Sequence, residues 1–289
     1  MSKFKIAIIG TGIMGKGIAF NYLKNGYKVT IWNRTKANAE DILSQGAVWA
    51  DTPKIAVEKS DIVFEVTAND ESSRSVWLGN DGLFAGADSS KILITSATLS
   101  SGWTDELAEK SQEQGYNFLD LAMTGGRPAA ESGNIVFLAG GDKATLENIK
   151  NDIEPISSKI IHFGNAGSGM KYKLILNALQ GIHMAGFGEA MRLARLAGLD
   201  EKQVGEALAE RPGGITTSVF GWGGYFNQPE PINFSVEWES KDIDYALKLV
   251  DNIDNFPLSK EASNTYHNAI NQDKDQSDFS IIASRDFTP

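Results

Sequence analysis

Phe4-Lys5-Ile6-Ala7-Ile8-Ile9-Gly10-Thr11-Gly12-Ile13-Met14-Gly15 sets an apolar run directly before a G-x-G-x-x-G turn. In this pattern the first glycine permits a tight strand-to-helix turn and the second lets the backbone approach a pyrophosphate. The third lets the helix pack closely on the strand. The pyrophosphate then lies at a helix amino end, where unpaired N–H groups and the macrodipole favour anions. The flanks supply the required context: a helix over Met14–Lys24, Asn25-Gly26 as its stop, and a second strand Lys28–Trp32. That context favours a nucleotide-cofactor site, built on Gly10, Gly12, Ile13, Met14 and Gly15, over a plain glycine turn. Gly10…Gly15-Lys16 also has the glycine-to-lysine spacing of a phosphate-binding NTPase loop. Gly17, however, stands where such a loop needs a Ser or Thr hydroxyl for magnesium, so that reading is rejected.

The end of the second strand decides between cofactors. An NAD site places Asp or Glu there for the ribose 2′-hydroxyl, whereas an NADP site offers cations and hydroxyls to the 2′-phosphate. The strand here ends Trp32-Asn33-Arg34-Thr35-Lys36, with no carboxylate at its tip. Arg34 can bond the phosphate and stack on adenine, and Asn33 and Thr35 can add hydrogen bonds. The expected cofactor is therefore NADP(H).

The chain has 289 residues, 42% hydrophobic and 22% charged, enough for two medium domains with proper cores. A net charge of −10 argues against a nucleic-acid partner. With no cysteine there is no disulfide framework, thiolate catalysis or cysteine-ligated zinc. The three histidines, His162, His183 and His267, have no metal-ligand spacing, and no metal is expected. No segment approaches the roughly 20 apolar residues of a membrane span. The first strand begins at residue 4, leaving no room for a targeting peptide, so a cytoplasmic protein is expected.

Strand-like runs Phe4–Ile9, Lys28–Trp32, Ile62–Val66, Lys91–Ile94, Asn117–Ala122, Ile135–Ala139 and Ile160–Phe163 alternate with helical segments such as Thr104–Gln114 and Lys143–Ile153. This alternation predicts an α/β fold, a Rossmann-type doubly wound and mainly parallel sheet, over residues 1–164. From 165 to 289 the pattern is all-α. It opens with an unusually long helix, Gly169–Ala197, that joins the domains, with a ligand cleft expected at their junction. Val219–Phe226 is apolar-rich; cleft, interface and core packing all remain open for it.

Two constellations bear chemistry. Lys173 and Asn177 are spaced i, i+4 on the long helix and share a face. A partly desolvated lysine there can exchange a proton with a substrate oxygen that an asparagine orients, although a lone lysine is usually a solvated charge. Asp120-Leu121-Ala122-Met123-Thr124-Gly125-Gly126 ends a strand with a hydroxyl and two glycines. It reads equally as a carboxylate-binding nest or as an ordinary turn.

Taken in order, these motifs resemble the β-hydroxyacid dehydrogenase family, which includes 3-hydroxyisobutyrate dehydrogenase and tartronate semialdehyde reductase. The resemblance rests on Gly10-to-Gly15, Asn33-Arg34-Thr35, Asp120…Thr124-Gly125-Gly126, Gly167-Ser168-Gly169…Lys173…Asn177 and Lys241-Asp242, across nearly the whole length. It implies that Thr124, Gly125 and Gly126 hold a substrate carboxylate, that Lys173 is the catalytic lysine, and that Asn177 orients the substrate. It further implies cofactor contacts at Val66, Thr67, Thr98 and Lys241. The chain departs from the family at Thr124 (usually serine), at Leu176-Asn177 (usually two asparagines) and at Thr95-Ser96-Ala97-Thr98 (usually Asp-x-Ser-Thr). Arg127 follows the glycine pair and is a candidate for contacting a second polar substrate end.

The implied reaction is reversible hydride transfer between NADP(H) and a short β-hydroxy acid or semialdehyde acid, with Lys173 as general acid and base. The implied assembly is a homodimer or homotetramer. Two rivals stand beside it: an NADPH-dependent imine reductase on the same fold, against which Lys173 and the Thr-Gly-Gly loop argue, and a non-catalytic NADPH-binding protein. Phosphogluconate dehydrogenase itself has a much larger helical domain.

Overall fold

The computed structural model describes residues 4–210 and 216–288. The chain divides into two compact units, Met1–Lys173 and Leu174–Pro289. The first is built on one eight-stranded sheet in the order β3-β2-β1-β4-β5-β6-β7-β8. The strands are β1 (Ile6–Ile9), β2 (Val29–Trp32), β3 (Val48–Trp49), β4 (Ile62–Glu65), β5 (Ile92–Thr95), β6 (Asn117–Thr124), β7 (Ile135–Gly141) and β8 (Ser157–His162). Every pairing is parallel except β6 with β7. The doubly wound expectation holds, and the order reverses between β1 and β4, the position where open α/β sheets bind ligands beyond their carboxyl ends.

Parallel strands buried on both faces need apolar side chains on both, and β1 is Ile-Ala-Ile-Ile with every residue buried. Ile6 and Ile8 join Tyr22, Phe64, Leu119 and Phe137 on one face. Ala7 and Ile9 join Val63, Trp77, Leu93 and Trp103 on the other. Each face is thus closed by helices, as the period-2 alternation of side chains requires.

Some element ends differ from the sequence reading. The strand expected over Asn117–Ala122 continues to Thr124, because Met123 and Thr124 pair with Phe137 and Val136. The last strand begins at Ser157 rather than Ile160 and ends at His162. Its residues are half-buried or exposed, so the apolar pattern marks only its middle. The two-residue β3 has no such pattern at all, since Val48 is exposed and only two rungs join it to β2.

The long helix runs Ser168–Leu196. The second unit adds helices Glu201–Glu210, Thr216–Gly223, Val236–Leu247 and Pro257–Ile270. Its core gathers Met184, Phe187, Met191, Tyr225, Val236, Ile243 and Tyr266. Within Val219–Phe226, Tyr225 is buried in that core and Trp222 packs against it, whereas Val219, Phe220 and Phe226 are exposed. No described helix is long and apolar enough to cross a membrane.

Candidate functional site

β1 ends at Ile9, opposite Trp32 of β2 and Glu65 of β4, so Gly10 leaves the sheet where the strand order reverses. Gly10 has φ +105°, and the carbonyl of Val66 fills the place a side chain would take. Gly12 is the opposite case. It is exposed, and nothing lies within 4 Å of where its Cβ would be. Gly12 is also the N-cap of helix Ile13–Lys24, which has no side-chain cap and no acidic residue in its first turn. An open glycine backbone at an uncapped helix amino end is a cradle for a pyrophosphate. The residues present fit a dinucleotide, with Ile13 and Met14 half-buried in the first turn and Gly15 buried behind it.

Asn33, just past β2, accepts from the Thr11 N–H at 3.1 Å and donates to the Thr35 carbonyl at 2.8 Å. Its amide joins the glycine loop to the turn that carries Arg34. Arg34 and Thr35 are exposed, and among the described residues no carboxylate pairs with Arg34. Lys36 stands 5.3 Å from the Trp49 ring centre. Val66 and Thr67 follow β4 directly, half-buried, and the Val66 N–H donates to Ile9 at 2.8 Å. Thr98 is half-buried beyond β5.

β6 delivers the glycine pair. Thr124 is its last residue, half-buried, and Gly125 and Gly126 are exposed with φ +115° and +61°. Two successive positive φ values bar most side chains and turn the chain into helix Gly126–Ser132. Arg127 is 3.7 Å from Glu131 one turn along.

Asp120, in the middle of β6, ties the start of the long helix to the sheet. Its carboxylate accepts from the Gly167 N–H at 2.7 Å and the Met170 N–H at 2.8 Å. Met170 in turn accepts, through Sδ, the Leu99 N–H just past β5 at 3.4 Å. The helix start is thereby held at the carboxyl end of β5 and at the middle of β6. Three residues on comes Lys173, 9% exposed. Burial pushes the Asp120 carboxyl up to about 6, against the backbone donors that favour its ionised form. Sequence reasoning quoted Asp120 without assigning it a task; the signal was an acid inside a strand otherwise apolar over Phe118–Met123.

In the second unit, Asn177 is 1% exposed and its Nδ2 donates to Asp242 at 2.6 Å. Asp242 is fully buried and ion-pairs with Lys241 at 2.9 Å. A carboxylate can only accept, so the amide orientation is fixed and Asn177 Oδ1 is left as an acceptor. That atom has no hydrogen-bond partner among the described residues. No group of three His, Asp or Glu side chains among the described residues could hold a metal ion. His162 bonds the Gly141 carbonyl and His267 pairs with Asp244, which gives both local structural partners.

Comparison with known proteins gives two consecutive family matches. Residues 5–164 match the model described as the NAD binding domain of 6-phosphogluconate dehydrogenase. Residues 167–285 match that of the NAD-binding region of NADP-dependent 3-hydroxyisobutyrate dehydrogenase. The chain is 28% identical to glyoxylate/succinic semialdehyde reductase 2, chloroplastic, of Arabidopsis thaliana over 280 residues, covering 96% of this chain and 78% of that protein. It spans about half the length of the nuclear factor N-PAC proteins that it also matches. The structure of Mycobacterium tuberculosis 3-hydroxyisobutyrate dehydrogenase with L-serine superposes with a TM-score of 0.85 at 24% identity, over 98% of each chain. A Streptomyces aurantiacus imine reductase has a TM-score of 0.64 at 19% identity, over 96% of this chain and 98% of its own, and shares the fold.

Proposed function

Because the chain belongs to the β-hydroxyacid dehydrogenase family of nicotinamide-dependent oxidoreductases, we propose that it is an NADP(H)-dependent reductase of short semialdehyde acids, acting reversibly on the corresponding hydroxy acids. The observation that carries this reading is the placement of Lys173: a buried lysine one turn into a helix whose start is fixed by Asp120 to the middle of β6 and by Leu99 to the end of β5. When bound, the reduced nicotinamide supplies the hydride.

The chain's own residues divide the remaining work. Gly12 and the uncapped helix end hold the pyrophosphate, and Arg34 with Thr35 holds the 2′-phosphate, the basis of the NADP(H) preference. Asn33 serves them by holding the loop and the turn together. The backbone around Thr124, Gly125 and Gly126 takes the substrate carboxylate, which fixes the distance to the carbonyl. Lys173 then stabilises the developing alkoxide and gives it a proton. Asn177, its amide locked by Asp242, offers Oδ1 as an acceptor that orients the substrate hydroxyl. Val66, Thr67, Thr98 and Lys241 complete the cofactor contacts. With both reactants anchored, much of the acceleration is positioning. The Arabidopsis relative named for glyoxylate and succinic semialdehyde supports this substrate class.

The test is NADPH oxidation against glyoxylate and a series of short semialdehyde acids, for wild type and Lys173→Ala. The expected result is turnover that falls about 100-fold or more in the variant, the usual loss of a general acid. No turnover, or turnover indifferent to Lys173, moves the weight to an imine substrate or a non-catalytic role. NADPH binding with no turnover on any aldehyde points to a non-catalytic role.

A further inference from the structure

Glu65 closes β4, whose preceding residues are Ile62, Val63 and Phe64, and it is fully buried. A carboxylate among such neighbours is costly unless its lone pairs are satisfied. Here they are. Oε1 accepts the Thr67 N–H at 3.1 Å and also the Thr67 hydroxyl, and Oε2 accepts the Thr95 hydroxyl at 2.7 Å. Among the described residues no cation adds to these partners. Burial pushes the carboxyl up, and the Thr67 and Thr95 hydroxyls oppose that shift. The cluster therefore joins the ends of two adjacent strands, β4 and β5, which pair Glu65 with Thr95.

Its position gives the cluster a task. Glu65 faces Ile9 across the β1–β4 pair, the place where the strand order reverses. The next two residues, Val66 and Thr67, are tied in from both sides: the Val66 N–H donates to the Ile9 carbonyl, and the Val66 carbonyl occupies the side-chain space of Gly10. Whatever fixes Thr67 fixes the surface against which the glycine loop turns. A buried aliphatic residue would pack this strand end equally well but would leave the Thr67 N–H and both hydroxyls without an acceptor.

We infer that Glu65 is a positioning residue of the cofactor site: it latches Thr67 and Thr95 so that Val66–Thr67 forms a rigid wall behind the glycine loop. The inference rests on the cofactor half of the function proposed above and is independent of the substrate. It is therefore read by binding alone. NADPH affinity is measured by nucleotide fluorescence, with a thermal melt beside it, for wild type, Glu65→Leu, Glu65→Gln, Thr67→Val and the Glu65→Leu/Thr67→Val double variant. Glu65→Leu and Thr67→Val each raise the Kd about tenfold, the worth of one hydrogen bond to a charged group. The double variant binds no worse than the weaker single, because both changes break the same latch. Glu65→Gln keeps an acceptor for Thr67 and stays within about threefold of wild type. A Glu65→Leu protein that melts lower yet binds NADPH as wild type does overturns the inference, since the carboxyl then only holds the strand ends together. Should Glu65→Leu fail to fold, unchanged affinity in Thr67→Val overturns it. Wild-type protein that binds neither NADPH nor NADH overturns the cofactor reading itself, and this inference with it.

Discussion

Asp120 must serve two opposed ends: buried in β6, it also accepts two N–H groups where the long helix begins. Its carboxyl is raised from 3.8 to about 6 in the folded chain, so folded protein retains a proton there that unfolded protein releases. The resulting stabilisation is fully present below about pH 4 and is lost as pH rises through about 6, amounting to about 2–3 kcal/mol. Asp120→Asn removes this dependence. Urea unfolding at pH 4 and pH 6.5 therefore shows a fall in stability across this window that is about 2–3 kcal/mol larger for wild type than for the variant, whatever their absolute difference. Glu65, shifted in the same direction, keeps its own share in both proteins. Neither acid's bonding was legible in the sequence, because both join groups far apart in the chain. Asp120 meets Gly167 and Met170, 47 and 50 residues away, and Glu65 meets Thr95, 30 residues away. By contrast, Gly10, Gly12 and Gly15 act within a single turn, and local spacing reveals such residues.

The element that begins with the glycine loop shows how one helix answers to two demands. At Gly12 a Cβ would meet nothing within 4 Å, whereas at Gly17 it would meet the backbone of Ala130 at 2.6 Å. Helix Ile13–Lys24 thus packs backbone to backbone on helix Gly126–Ser132 through Gly17, which is why no hydroxyl stands there. A pair of variants separates the two demands. Gly17→Ala costs about 1–3 kcal/mol of overpacking strain and lowers the denaturation midpoint. Gly12→Ala changes stability by no more than about 0.5 kcal/mol while raising the KM for NADPH. Elements with continuous apolar runs or period-3.6 patterns were legible: β4, Lys143–Ile153 and the long helix to within a residue at each end, and β1 with its start read two residues early. The two-residue β3 and the outer half of β8 were not, because strands at the margins of a sheet bury too little to leave an apolar signature.

At the scale of the whole chain, cofactor choice is a local exception to the global charge. The protein carries −10 overall, yet the turn after β2 presents Arg34 and Lys36. Ligand linkage makes the preference measurable without substrate, since a nucleotide at 100 times its Kd stabilises the folded state by about 2.7 kcal/mol. NADPH at a fixed concentration is expected to raise the melting temperature more than NADH does. Arg34→Ala should collapse that difference by lowering the NADPH shift and leaving the NADH shift in place. Equal shifts in wild type would refute the NADP(H) preference. The two-part architecture itself was readable, since alternating strand and helix signals give way after Gly164 to helical spacing alone.

β6 carries the anchor of the lysine-bearing helix at Asp120 and, four residues later, ends in the loop assigned to the substrate. The anchor is inside the sheet, while Gly125 and Gly126 lie beyond its last paired residue, Thr124. Under the proposed function, changes at 124–127 thus alter what is recognised while the lysine assigned to move the proton stays in place. On the function proposed above, a fold wired in this way is open to retuning: a descendant that rewrites the turn after β6 changes the acid it recognises and keeps its proton donor.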